Sequence, residues 1–292
     1  MRRRQILIAA AAAAMLLPSM SVAVGPRPQN TSRDVKGQSL DEIVERGYMT
    51  IGVYDDFPPY SFMDGDTLKG VDVELGKLIA AELGVEARFV RVGADETVDA
   101  DLRNNVWRGH IISGEVVNLM MRVPYNRELA IRNELVVLTG QYENEQVAIA
   151  YDKAYYGDDK PAPAYFRFDK VGVENDSIAD FYLSGIGNGS MIANIVRYPD
   201  PARAMDGLRA GDVRAVMGAR GQLEWGATDA IAVHTPPLPG LAVGEWTIGV
   251  AVRMNWRALG YAVNDAIIAA ITDGRMEKIF ADMGLSWSPP EW

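Results

Sequence analysis

Residues 47–75 read GYMTIGVYDDFPPYSFMDGDTLKGVDVEL and decide the fold. The apolar run at residues 48–53 predicts a buried strand, because strands favour β-branched and aromatic residues. The Pro-, Asp- and Gly-containing stretch after it predicts a loop. Residues 71–83 carry apolar side chains at helical spacing, which predicts an amphipathic helix. A strand, a loop and a helix in this order form the first unit of an α/β sheet.

The same alternation continues along the chain. Ser39 precedes Asp41 and Glu42, which predicts an N-capped helix just before the first strand. Strands are predicted at residues 48–53, 86–92, 116–123, 170–174, 193–198, 213–218 and 246–253, and helices at residues 71–83, 101–109, 177–183, 201–209, 222–225, 256–272 and 276–283. The series from residue 170 onward predicts a second, smaller α/β domain joined to the first.

The N-terminal residues predict export. Three arginines, Arg2 to Arg4, precede an apolar run at residues 6–18 and the small-residue sequence Ser21-Val22-Ala23. This is the pattern of a signal peptide, here residues 1–23, and the apolar run is shorter than the roughly 20 residues that cross a bilayer. We therefore expect a periplasmic protein with no membrane anchor, cleaved near Ala23. Residues 24–38 are polar and predict a flexible lead-in.

Composition excludes several classes of function. The chain has no cysteine, so disulfides, thiolate metal sites and a lipid-modified cysteine are absent. A net charge of -10 argues against nucleic acid as a partner. His110 and His234 are the only histidines and lack metal-ligand spacing. The acidic pairs at residues 64–66 and 99–101 do not continue into a calcium-binding loop, so no metal and no cofactor is expected.

Several motifs together resemble a known family. The segments are LDEI (residues 40–43), GYMTIGV (47–53), FPPYSF (57–62), GVDVEL (70–75) and MDGLRAGDVRAVMG (205–218). They are similar, in order and spacing, to the family 3 solute-binding proteins, best known as amino-acid receptors of ABC importers. The resemblance implies the α/β, two-lobed periplasmic binding protein fold of type II, with two hinge-crossing strands near residues 145–151 and 244–252. It implies lobe 1 at residues 39–147 plus 248–292, and lobe 2 at residues 148–247.

The ligand chemistry departs from that family's pattern at three places. Arg127 is the nearest candidate for the arginine that grips an α-carboxylate, but its segment is one residue too long for that match. Asn175, Asp176 and Ser177 stand where the family has a Gly-Thr pair, and an acid there would repel an anion. Arg220 follows Ala219 where the family has the acid that pairs with an ammonium. These departures predict that the ligand is not an α-amino acid.

A narrower resemblance lies in DADLRNNVWRG (residues 99–109) and NLMMRVPY (residues 118–125). This run is similar to the binding-protein subgroup encoded beside quinoprotein methanol dehydrogenases, the MoxJ and XoxJ proteins. It implies a periplasmic accessory to a calcium- or lanthanide-dependent, pyrroloquinoline-quinone methanol dehydrogenase, acting in its maturation or activation. The dehydrogenase subunits would then be the protein partner, the chain would be a monomer, and its cleft would hold a small ligand or a peptide segment.

The cleft should lie beyond the carboxyl ends of the strands. The residues expected to line it are Tyr54, Asp55, Phe57, Tyr60, Phe62, Asp72, Arg127, Tyr142, Asn175, Asp176, Ser177, Arg220 and Trp246. The alternative for the aromatic residues is packing beneath the loop. Two other functions stay open: an importer receptor for a small solute other than an amino acid, and a dehydratase-type enzyme with Glu74 or Glu115 as its acid. No catalytic residue is assigned, because no nucleophile motif is present.

Overall fold

The computed structural model describes residues 38–109 and 114–291. The predicted signal peptide, nearly all of the lead-in and His110 lie outside these ranges. Within them, no helix is both long and apolar enough to cross a membrane.

The described residues form eleven strands and ten α-helices. The strands are β1 (Tyr48–Tyr54), β2 (Phe62–Asp64), β3 (Thr67–Lys69), β4 (Glu86–Val92), β5 (Leu119–Pro124), β6 (Val136–Asp152), β7 (Val171–Glu174), β8 (Ile195–Tyr198), β9 (Ala215–Ala219), β10 (Ile231–His234) and β11 (Glu245–Arg253). The helices are α1 (Leu40–Arg46), α2 (Val71–Glu82), α3 (Val98–Leu102), α4 (Arg127–Arg132), α5 (Lys153–Tyr156), α6 (Ile178–Gly185), α7 (Pro201–Ala210), α8 (Arg220–Trp225), α9 (Arg257–Thr272) and α10 (Arg275–Asp282). A π-helix (Arg103–Trp107) continues α3, and short 3-10 helices span Pro163–Arg167, Ile186–Gly189, Ile192–Asn194 and Met254–Trp256.

The main sheet has the strand order β4-β1-β5-β11-β6-β9-β7-β8, with β10 paired to β6. In the first half β1 lies between parallel β4 and β5, and in the second half β7 lies between parallel β8 and β9. Strands β6 and β11 are antiparallel to each other and connect the halves. The chain therefore has two α/β lobes joined by two crossing strands.

Each lobe has its own apolar core. The first packs β1, β5 and β11 against α2, α9 and α10, with Ile51, Leu75 and Phe280 almost completely buried. The second packs β7 and β9 with α6. Trp246 on β11 packs against both cores, so its side chain lies where the lobes meet.

The predicted elements agree with the structure except in two regions. Residues 101–109 do not form one α-helix: α3 begins earlier, after its cap Thr97, and ends at Leu102, and the chain continues as the π-helix. The predicted strand at 116–123 starts only at Leu119, and the side chain of Asn118 accepts a hydrogen bond from the Thr50 amide at 2.8 Å. At α1 the predicted cap is present as a full capping box between Ser39 and Glu42.

Strand β6 bulges near its middle, where it pairs with β11. Ile248 pairs with Glu143 but Val250 pairs with Thr139, so the register shifts between them. Gly140 lies in this bulge with φ +56°, and a Cβ there would lie 2.6 Å from Ile267 on α9. A side chain at position 140 would therefore meet both backbone strain and a steric clash.

We expect Gly140→Ala to lower the free energy of unfolding by about 2–4 kcal/mol, from left-handed strain plus overpacking. Gly84→Ala is the matched control, because Gly84 also has positive φ, at +69°, but a Cβ added there would have no neighbour within 4 Å. That control should lose only about 1 kcal/mol. Urea denaturation of the two variants measures the difference, and equal losses would contradict the packing argument.

Candidate ligand cleft

A cavity of about 460 Å³ lies beyond the carboxyl end of β1, between the two lobes. Its walls come from the loop after β1, from α3 and the loop before it, from β5 and from the crossing strands. The lining residues are Tyr54, Asp55, Phe57, Tyr60, Ala94, Asp95, Glu96, Thr97, Val98, Asp101, Arg122, Pro124, Glu145, Ala219, Gln222, Trp246 and Ile248. Its volume falls within the range of small-molecule sites.

The aromatic side chains of the FPPYSF loop form one wall. Phe57 packs edge-on against Tyr54, with 6.1 Å between ring centroids, and lies 5.6 Å from Tyr60. Phe62 lies outside this cavity and packs at 5.2 Å against Trp225 of α8, in the other lobe. Gly221 of α8 lies so close to the Tyr60 hydroxyl that a Cβ there would clash with it. The loop thus lines the cavity and touches the second lobe.

The cavity's innermost wall is a buried charge cluster around Arg122. The Arg122 guanidinium lies 3.0 Å from the centroid of the Tyr60 ring. Nη1 donates to Glu143 at 2.9 Å and Nη2 to Glu145 at 3.4 Å. Asp72 lies 3.8 Å from Nη1, so three carboxylates surround one guanidinium. The side chains of all four are at most 6 % exposed.

Two tyrosines complete the cluster. Tyr142 donates its hydroxyl hydrogen to Asp72 at 2.7 Å, and Tyr60 donates to Glu145. The Gln146 amide also donates to Glu145, at 2.9 Å. Each carboxylate therefore has a hydrogen-bond donor, which offsets part of the cost of burying it.

Backbone geometry directs Arg122 into the cleft. Arg122 lies inside β5 but has φ +58°, in the left-handed region that a residue with a side chain seldom adopts. Strand β11 shifts register beside it, between Gly249 and Ala251. Such strain is found at functional sites, where the surrounding contacts maintain it.

Burial raises the pKa of two carboxyl groups in the cluster. The pKa of Glu143 rises to about 7, chiefly because burial disfavours its charged form, although Arg122 opposes the rise. The pKa of Asp72 is raised for the same reason. The pKa of Arg122 stays above its ordinary value despite burial, since Tyr60 and Glu143 face it. Arg122 is therefore charged at neutral pH, while Glu143, with a pKa of about 7, is only partly protonated there.

A second polar pair lies at the cavity's edge. Tyr54 donates to Asp101 at 2.8 Å, and the Asp95 amide donates to the same carboxylate at 2.7 Å. Burial raises the pKa of Asp101. This pair fixes α3 against the end of β1, so residues from the 99–109 run form part of the cavity wall.

The structure brings five of the thirteen expected cleft residues into this cavity: Tyr54, Asp55, Phe57, Tyr60 and Trp246. Asp72 and Tyr142 lie behind Arg122 in the charge cluster. Arg127 begins α4 and lies in a separate surface crevice with Arg257 and Tyr261.

The remaining expected residues have local roles in the second lobe. Ser177 caps α6, and Asn175 donates to Asp176. Their neighbour Glu174 lines an adjoining cavity of about 840 Å³, together with Phe57 and Trp225. Arg220 instead reaches the C-terminal segment, where it donates to the Ser288 hydroxyl and the Ser286 carbonyl at 3.0 Å each.

The residues missed at the sequence level are Arg122, Glu143 and Glu145. The sequence does contain a signal for them. Arg122 interrupts the apolar run NLMMRVPY, and a charge within a buried strand needs a partner. Glu143 and Glu145 are two apart on one strand, so they face the same side.

Among residues 38–109 and 114–291, no cluster of His, Cys, Asp or Glu is arranged to hold a metal ion. Glu74 pairs with Lys77 on α2 and is not among the residues that line the cavity.

Two lobes, two crossing strands and a cavity between the lobes define the class of the periplasmic binding proteins of type II. The solved structure of an ancestral cationic amino acid solute-binding protein has this fold: it aligns with a TM-score of 0.68 at 22 % identity, covering 84 % of this chain and 99 % of that one. The predicted fold class is thereby confirmed.

Sequence comparison supports the same assignment. Residues 49–107 match the family model of the bacterial extracellular solute-binding proteins, family 3. The L-cystine-binding protein TcyJ of Escherichia coli is 25 % identical over 82 % of this chain and 84 % of its own length. An L-arginine-binding protein of Pseudomonas aeruginosa is 26 % identical over 78 % and 85 %. These matches confirm the predicted similarity to solute-binding protein family 3, whose members are typically periplasmic.

The Glu143 pKa predicts a pH dependence of stability. In the folded protein this pKa is about 7, above the ordinary value of 4.5, so folding takes up a proton between these limits. The stability that the protonated Glu143 side chain contributes is therefore fully present below about pH 4.5, and it is lost as pH rises through about 7. Glu143→Gln keeps an acceptor for Arg122 and should remove this dependence.

We expect the stability advantage of Glu143→Gln over the parent to grow by up to roughly 3 kcal/mol between pH 5 and pH 8. Urea denaturation across this pH range gives the measurement. Glu277→Gln, on the exposed face of α10, is the matched control and should track the parent. A constant difference between Glu143→Gln and the parent would contradict the prediction.

Proposed function

We propose that this protein is a periplasmic binding protein that acts as an accessory of a pyrroloquinoline-quinone methanol dehydrogenase, in its maturation or activation. Its interlobe cleft holds a segment of the enzyme. One observation carries the proposal: the two runs that resemble the methanol-dehydrogenase-associated subgroup contribute to the cleft wall. Asp101 of α3, with its neighbour Val98, and Arg122 and Pro124 of β5 line the cavity.

The chemistry of the cavity supports a partner segment over a free amino acid. An α-amino acid needs a cation for its carboxylate and an acid for its ammonium. The cavity's arginine, Arg122, is already paired with Glu143 and Glu145. Arg127 lies in another crevice, and Arg220 pairs with the C-terminal segment. The aromatic residues Tyr54, Phe57 and Trp246 also line the cavity, and aromatic side chains supply much of the energy where proteins bind each other. Four further acids line it as well: Asp55, Asp95, Glu96 and Asp101.

The second candidate is an importer receptor for a small solute. It is favoured by the fold and by the curated relatives, which are named for binding L-cystine and L-arginine. A receptor saturated at 100 times its dissociation constant gains about 2.7 kcal/mol in stability. The paired charges of the cleft predict no such gain with either amino acid. A dehydratase function has less support, because the two candidate acids, Glu74 and Glu115, are not among the residues that line the cavity.

Purified dehydrogenase, in its cofactor-free and loaded forms, should associate with this protein in crosslinking and co-purification. Trp246→Ala and Phe57→Ala should weaken the association by about 10-fold or more, as expected for aromatic anchors at an interface. Tyr261→Ala is the control, since Tyr261 is 67 % exposed on α9 and lies outside the cavity. The control should leave the association unchanged.

Thermal-shift measurements with L-cystine and L-arginine test the importer function that the names of the curated relatives suggest. We expect neither amino acid to raise the melting temperature of the parent protein. A saturable rise with one of them, together with no association to any form of the dehydrogenase, would favour the importer receptor.

A further inference from the structure

We infer that Arg122 is the built-in occupant of a cation subsite in the cleft, and that this residue sets the cleft's specificity. The subsite consists of the Tyr60 ring and the carboxylates of Asp72, Glu143 and Glu145. With Arg122 in place, the subsite is closed to any ligand cation. Without that side chain, the subsite would take a small planar cation of the guanidinium class. This inference does not rest on the proposed partner.

The contacts of Arg122 form a complete recognition set for a guanidinium. An aromatic face lies against the planar group, and two carboxylates accept its N–H hydrogens at 2.9 and 3.4 Å. A cation above a ring face and charge-assisted hydrogen bonds are the two strongest ways in which proteins hold a guanidinium. Here both are supplied by groups from separate elements: the FPPYSF loop and β6.

The charge balance shows that the acids exceed what one arginine needs. Three carboxyl groups face a single guanidinium within 4 Å, and all are buried. Burying such a set costs more than filling the same space with apolar side chains, so it is a poor way to stabilise a core. A surplus of acid is instead the arrangement that attracts and orients a cation.

The subsite opens onto the cavity. Arg122, Tyr60 and Glu145 all line the 460 Å³ space, whereas Glu143 is not among the lining residues. A cation that replaced the Arg122 head group would therefore reach it through the cleft. Tyr54, Phe57 and Trp246 line the rest of this space together with acids at its outer edge, Asp55, Asp95, Glu96 and Asp101. The ligand of the parent cleft is thus expected to present an apolar or aromatic group, with no cation at its inner end.

The test uses Arg122→Ala with guanidinium chloride as the probe and sodium chloride at equal concentration as the reference. Guanidinium destabilises ordinary proteins, because it solvates apolar and peptide groups. We expect the opposite sign in this variant: low guanidinium concentrations should raise its melting temperature saturably. The parent protein should show no such rise. Isothermal titration should give saturable binding of guanidinium to the variant alone.

The triple variant Arg122→Ala, Glu143→Gln, Glu145→Gln is the matched control. It lacks the same head group but has two neutral amides in place of two of the three carboxylates, and the third, Asp72, keeps its hydrogen bond from Tyr142. It therefore buries less uncompensated charge than Arg122→Ala and should fold without any added cation. Its affinity for guanidinium should be about 10-fold weaker or worse than that of Arg122→Ala, since both charge-assisted hydrogen bonds are lost.

The outcomes show whether the carboxylates and the Tyr60 ring form a cation subsite. Recovery of folded Arg122→Ala only when guanidinium is present supports it, as does a saturable rise in melting temperature. Equal effects of guanidinium and sodium overturn it, and so do equal affinities of the single and triple variants. If Arg122→Ala stays unfolded with guanidinium while the triple variant folds, the carboxylates do not form a cation subsite and the inference fails.

Discussion

The buried pairing of Arg122 with three carboxylates is the interaction on which the rest of the structure depends. Asp72 comes from α2, Arg122 from β5, and Glu143 and Glu145 from crossing strand β6. The guanidinium thereby ties the helix and a central strand of the first lobe to the strand that enters the second. Loss of one partner would leave a buried charge without compensation, which costs several kcal/mol.

The same pairing decides what the cleft can bind. A free guanidinium would offer a fork to a ligand carboxylate, and free glutamates would attract an ammonium. In this protein the two kinds of group satisfy each other, so the polar anchors expected for an amino acid are used internally. The aromatic residues Tyr54, Phe57 and Trp246 line the accessible wall beside the acids of the loop before α3.

Helix α8 is one of the elements through which the two lobes contact each other. Helix α8 touches the first lobe through Gly221 against Tyr60 and through Trp225 against Phe62. It also holds the C-terminal segment, because Arg220 donates to Ser286 and Glu224 accepts from the Ser286 amide at 2.7 Å. Hinge motion of such lobes is carried by crossing strands, here β6 and β11. Any opening of the cleft must break or carry along these contacts of α8.

The sequence by itself determined the scaffold. The alternation of apolar strands and amphipathic helices predicted β1, α2, β4 and most later elements, and Ser39 with Glu42 predicted the cap of α1. These features depend on neighbours in the chain, so local patterns reveal them. Most of β6 was not predicted, because its middle reads TGQYENEQ and looks like a polar loop. Its polar side chains are paired with groups distant in sequence, which no local pattern records.

Only the tertiary structure decided which arginine belongs to the cleft. The family resemblance made Arg127 the nearest candidate, although its segment is one residue too long for the match. In the structure Arg127 begins α4 in another crevice, and Arg122 lines the interlobe cavity. The choice depends on a left-handed residue in β5, a register shift in β11 and acids 21 and 23 positions away on β6. The sequence shows which residues carry charge, but burial and pairing set their pKa values. Both arise only when the strands come together.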